Sequence, residues 1–76
     1  MRLIYEIAKD IRSDWKNVNY AAEPYLKAME EMEDIEEMYH YDTGISVVLY
    51  FLSNANTWRG EVAKGIKKEL KSMVKY

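Results

Sequence analysis

Apolar side chains recur every third or fourth residue along most of this chain, which is the spacing of helices that bury one face. In residues 2–15 the series is Leu3, Ile4, Ile7, Ala8, Ile11 and Trp15, and it predicts a first helix there. Asp14 falls on the same side. An acid near a helix C-terminus opposes the macrodipole, so Asp14 calls for a cation or a donor. Residues 16–23 read as a loop. Pro24 then suits the first turn of a second helix, where its fixed φ fits and its missing N–H costs nothing. Tyr25, Ala28, Met29, Met32, Ile35 and Tyr39 carry that helix to about residue 39.

Residues 44–76 keep a single helical phase through Ile45, Val48, Leu49, Leu52, Ala55, Ala63, Ile66, Leu70, Met73 and Val74. Asp42 or Thr43 can cap its start. Residues 44–52 are apolar almost all round, as in the central helix of a bundle. The run Ile45, Val47, Val48 also fits a strand, but no partner strand is evident and an isolated strand is not stable. Ser53, Asn54, Asn56, Thr57 and Gly60 are poor helix formers. An unbroken helix of this length would run ~50 Å, too long for a small monomer. Two arrangements follow. Either the helix breaks near Asn54–Thr57, with Thr57 capping a fourth helix, or it continues inside a dimer. The expected class is all-α, a bundle of three to four helices forming one domain over residues 1–76.

Composition changes this picture in one respect. The chain has 76 residues and no cysteine, so neither a disulfide nor a cysteine-ligated zinc can staple it. A domain this small buries only roughly 60% of its unfolded surface. Good packing or self-association must supply the rest. Two Trp, seven Tyr and one Phe are a heavy aromatic load and favour an interface, so a homo-oligomer is expected. The N-terminus is too polar for a secretory signal, and the apolar run from Val47 to Leu52 is too short to span a bilayer. A soluble cytosolic protein without membrane contact is the expectation.

Net charge is −2, which gives no global pull toward nucleic acid or an anionic membrane. The charge is nevertheless segregated. Residues 23–42 hold eight acids and one base, and residues 58–76 hold six bases and two acids. The run Glu30, Glu31, Glu33, Asp34, Glu36, Glu37 can mimic a phosphate backbone and block a nucleic-acid-binding enzyme. Alternatively it faces the row Lys64, Lys67, Lys68, Lys71, Lys75, in the same chain or in a partner copy. Direct nucleic-acid binding by those lysines lacks a recognition motif and is not expected.

The densest polar cluster is Asn54, Asn56, Thr57, Trp58 and Arg59, with Asn56 and Arg59 on the apolar line. As a site, Trp58 would stack on a planar ligand, Arg59 would grip a phosphate or carboxylate, and the asparagines, with Tyr20 and Tyr25 nearby, would read its edges. As structure, Arg59 would bond Asp14 and close a gap between helices. Glu37-Met38-Tyr39-His40 has the Glu-x-x-His spacing of di-iron helices, but one histidine cannot complete such a site. No nucleophile set or phosphate-binding glycine loop is present. No metal, no cofactor and no enzymatic activity are expected.

The segment Ile45–Glu61, with Ile7–Trp15 and Tyr20–Met29, resembles the small accessory proteins of tailed bacteriophages. That resemblance implies a phage gene product in the host cytoplasm. It implies a protein that binds and disables host machinery, including defence enzymes and their nucleotide signals, and it brings no catalytic residue with it. The expected function is therefore non-enzymatic binding, either of a small nucleotide-like anion or, through the acidic run, of a host protein.

Overall fold

The computed structural model describes residues 2–39 and 42–74, without the side chains of Tyr39 and Asp42. His40 of the Glu-x-x-His spacing and Lys75 of the lysine row lie outside the described residues, as does the Tyr39 side chain. The architecture is all-helical: α1 (Ile4–Asp14), α2 (Glu23–Met29), α3 (Gly44–Ser53) and α4 (Glu61–Met73). A small antiparallel bridge, β1 (Met38–Tyr39) with β2 (Asp42–Thr43), precedes α3, pairing Met38 with Thr43 and Tyr39 with Asp42.

α1 forms where its periodicity places it, and Ile4, Ile7, Ala8 and Ile11 are buried. The Glu6 carboxylate accepts the Leu3 N–H at 3.0 Å, which is half of a capping box. The next two donors, the N–H groups of Ile4 and Tyr5, reach the carbonyls of Glu33 (3.0 Å) and Met32 (2.8 Å). This contact corrects the expected course of α2. The helix stops at Met29 rather than near residue 39, because the chain must turn there to cap α1 with its own backbone. The turn is held by acids: Glu37 accepts the N–H groups of Glu33 (2.8 Å) and Asp34 (2.9 Å). Met32 still reaches the core, and Ile35 packs against it.

The second break is the one expected near Asn54. α3 ends at Ser53 and α4 begins at Glu61, so the continuous helix does not form. Thr43 caps α3, its Oγ1 accepting the Ser46 N–H at 3.1 Å. Thr57 does not cap α4. Gly60 occupies that position with φ 112°, a conformation that favours glycine.

One core cluster unites the helices. Ile4, Ile7, Ile11, Leu26, Met29, Val48, Phe51 and Leu70 are fully enclosed, and Trp15 and Trp58 nearly so. Two arginines tie the outside. Arg12 bridges Glu23 and Glu30, and Arg2 bridges Asp10 and Glu69. Among the described residues no helix is long and apolar enough to cross a membrane.

Gly44 sits against the carbonyl of Ile35 so closely that an added Cβ would overlap backbone atoms. Gly44→Ala should cost at least about 1–3 kcal/mol, the range for overpacking, as measured by chemical denaturation. The arginine bridges also set a pH dependence. Arg12 holds the Glu23 carboxyl below its ordinary value of 4.5. A carboxylate lowered by folding contributes stability that is fully present above the ordinary value and is lost as pH falls from there through the lowered, folded-state value. Arg12→Ala should therefore flatten the acid limb of the stability–pH curve below pH 4.5. The effect is modest because the pair is partly exposed.

Candidate functional site

The α3–α4 turn is built around Trp58, which is 2% exposed. Its ring stacks on Trp15 with centroids 5.6 Å apart and planes 9° apart, and meets the edge of Phe51 at 6.4 Å. Its indole N–H donates to Asp14 Oδ2 at 2.8 Å. Asp14 thus finds a donor, as its place near the end of α1 requires, but the donor is Trp58 rather than Arg59. The expected Asp14–Arg59 pair does not form. Placing Arg59 on the core line assumed unbroken helical phase through residues 53–61. Once the helix stops at Ser53, Arg59 and Asn56 swing into solvent. There the Arg59 Nε lies 3.5 Å from the Asn56 carbonyl.

The turn's carbonyls are satisfied from α4. Lys67 Nζ donates to the carbonyl of Ala55 at 2.7 Å and of Trp58 at 2.6 Å, with the ammonium 5.8 Å from the Trp58 ring centroid. Burial, and then the positive charges of Lys71 and Arg59, hold this ammonium below its ordinary pKa. Beside it opens a cleft of about 370 Å³ lined by Trp58, Arg59, Gly60, Glu61, Ala63, Lys64 and Lys67. The first N–H groups of α4, from Glu61 to Ala63, have no partner within the helix and lie at this end. Three cations and a helix N-terminus thus converge on the cleft, with Glu61 the one carboxylate among its described lining residues.

The remaining expected site residues are scattered. Asn54 turns back on α3, its Nδ2 donating to the Tyr50 carbonyl at 2.9 Å, and its own carbonyl lies 3.4 Å from Asn19 Nδ2. Asn56 and Thr57 are exposed. Tyr20 is 89% exposed, and Tyr25 packs on Tyr50 at 5.3 Å. None of these five lines the cleft. Trp58 has no free face for a planar ligand, so its expected stacking role is replaced by a structural one. Lys64 and Lys67 join Arg59 instead. They stood in the sequence as members of a lysine row, and only the path of the turn reveals that Lys67 closes it.

Among the described residues the acidic run and the lysine row form no ion pair with each other. Among the described residues the ion pairs of the run are confined to Glu30 with Arg12, and Glu31, Glu33, Asp34 and Glu36 face solvent. No group of three potential metal ligands occurs among the described residues. Compared with known families, characterised proteins and solved structures, the chain matches none.

Trp58→Phe preserves the apolar bulk but removes the N–H that meets Asp14. It should cost about 1.5 kcal/mol, the low end for a hydrogen bond to a charged group, because Asp14 keeps access to water. Equal unfolding midpoints for the variant and the wild type would show the Asp14 bond to be dispensable.

Proposed function

We propose that this chain is a non-enzymatic binding protein that captures a small phosphate-bearing anion at the α4 N-terminal cleft. The observation that carries this reading is the Lys67 ammonium. It is anchored on two carbonyls beside Arg59 and Lys71, and burial first, then the positive charges of those two neighbours, depress its pKa. An arriving anion relieves that repulsion. Arg59 supplies a forked donor set, Lys64 a mobile charge and the start of α4 its free N–H groups. Because Trp58 is enclosed, recognition rests on phosphate and leaves the base of a nucleotide-like ligand unread. The resemblance of residues 45–61 to accessory proteins of tailed bacteriophages supports a role in host takeover or counter-defence, where sequestering a phosphate-bearing signal disables the response to it.

A second reading has its own observation. The exposed acids Glu31, Glu33, Asp34 and Glu36 sit on a turn that Glu37 holds in shape, which suits a phosphate mimic presented to a host nucleic-acid-binding enzyme.

Calorimetric titration with AMP, ATP and pyrophosphate separates the two. Affinity should rise with phosphate number, fall with added salt, and change little between adenine and guanine nucleotides. The double variant Arg59→Ala, Lys64→Ala should weaken binding at least about tenfold, a loss of roughly 1.4 kcal/mol, while the melting temperature is kept. Absence of binding to all three anions would sink the cleft reading. The acidic turn would then be tested by neutralising its four exposed acids and measuring retention of host enzymes.

A further inference from the structure

Residues 43–57 contain no charged side chain, and α3 lies wholly within them. Val47, Val48 and Phe51 point into the core, while Leu49 (47%) and Tyr50 (50%) stand half exposed on the outside. The other helices all present charge to water at their exposed positions: Lys9 and Asp10 on α1, Lys27 on α2, Lys64 and Lys68 on α4. The polar side chains at the end of this face bond the helix's own carbonyls. Ser53 Oγ donates to the Leu49 carbonyl at 3.0 Å, and Asn54 Nδ2 donates to that of Tyr50. Covering the face therefore does not strip these donors of their partners, which is the usual penalty for burying polar groups. The Tyr25 ring, tilted against Tyr50, widens the patch onto α2.

We infer that the outer face of α3 is where two copies of this chain meet across a two-fold axis. At such an axis each side chain faces its own equivalent, so a charge near the centre would meet a like charge. A helix free of charge is the surface of this molecule that escapes that repulsion. The charge left over elsewhere fits the same partner. Glu31, Glu33, Asp34 and Glu36 on one side, and Lys64, Lys68 and Lys71 on another, are exposed and form no ion pair with each other among the described residues. A second copy supplies the complement of each set twice over, one acid–lysine contact for each protomer. α3 alone is ~15 Å long, too short to fill the roughly 800 Å² per partner of a standard interface. The flanking charged surfaces must join it, and the association should weaken as salt screens them.

The test is the solution mass of the intact chain by light scattering across micromolar concentrations, read together with two variants. The wild type should give twice the protomer mass of 9.0 kDa. Leu49→Glu and Tyr50→Glu, both at exposed positions, should each give the protomer mass with helical circular dichroism unchanged. A wild type at 9.0 kDa throughout, or a dimer indifferent to both variants, overturns the inference. Crosslinking gives a readout that needs no disruptive change, since the chain has no cysteine of its own. Under mild oxidation Leu49→Cys should link into dimers much faster than Val62→Cys, which is equally exposed but lies on α4. Equal rates would overturn it as well.

Discussion

The Trp58 side chain and its carbonyl are the point on which the rest of this small fold depends. The indole stacks on Trp15 from the end of α1, touches Phe51 of α3 and bonds Asp14, while the carbonyl is held by Lys67 of α4. Three helices therefore meet at one residue of a turn. A chain without disulfides or metal needs such a junction, because a core of this size leaves little margin. The junction also explains why a turn rich in Asn, Thr and Gly is not a loose linker. Its carbonyls at Ala55 and Trp58 would lose water on burial, and the Lys67 ammonium replaces it.

A second junction gives the acidic run a structural meaning. The backbone of Met32 and Glu33 caps α1, so acids cluster at a helix N-terminus, where the macrodipole favours negative charge. The i, i+4 like-charge pairs Glu30/Asp34 and Glu33/Glu37, unfavourable along one helix, do not share a helix here, because α2 ends at Met29. Glu37 instead reaches back to two N–H groups of the turn. Part of the run thus serves the fold, while Glu31, Glu33, Asp34 and Glu36 stay exposed.

Local periodicity carried the helices well. The α1 series buries Ile4, Ile7, Ala8, Ile11 and Trp15 but leaves Leu3 exposed, and the α4 series buries Ala63, Ile66 and Leu70. α3 buries Val47, Val48 and Phe51 but is not enclosed all round as expected of a central helix, since Leu49 of the apolar line and Tyr50 stand half exposed. Asp14 does find a donor. Two things were not legible. The length of α2 depended on a long-range backbone contact between residues 32–33 and 4–5, to which side-chain spacing is blind. The partner of Asp14 depended on the direction in which the chain leaves α3. Extending helical phase through residues 54–60 put Arg59 inside and left Trp58 free to stack; the turn reverses both. Gly60, at φ 112°, is the sequence signal that marked the end of that turn, and it sits three residues beyond the cap expected at Thr57. Lys67 was hidden for the same reason, since nothing in a lysine's spacing tells which carbonyls it will meet.

Helix electrostatics sharpen the meaning of the cleft. The first turn of a helix favours acids, and Glu61 obeys that rule at the start of α4. Arg59, just before the helix, and Lys64, within its first turn, break it. Lys67 adds a third charge one turn on, with burial and two neighbouring cations already acting against its charged form. The core does not demand this arrangement. Lys67 bonds the part-buried carbonyls of the turn, Arg59 reaches only the exposed Asn56 carbonyl, and Arg59 and Lys64 could be neutral without leaving a buried group unsatisfied. Folding therefore uses Lys67 but gains nothing from adding Arg59 and Lys64 to a positive helix end. A phosphate group would relieve cations that oppose one another and the dipole, and would meet the free N–H groups of α4 at the same time, which is the ground for the proposed anion binding.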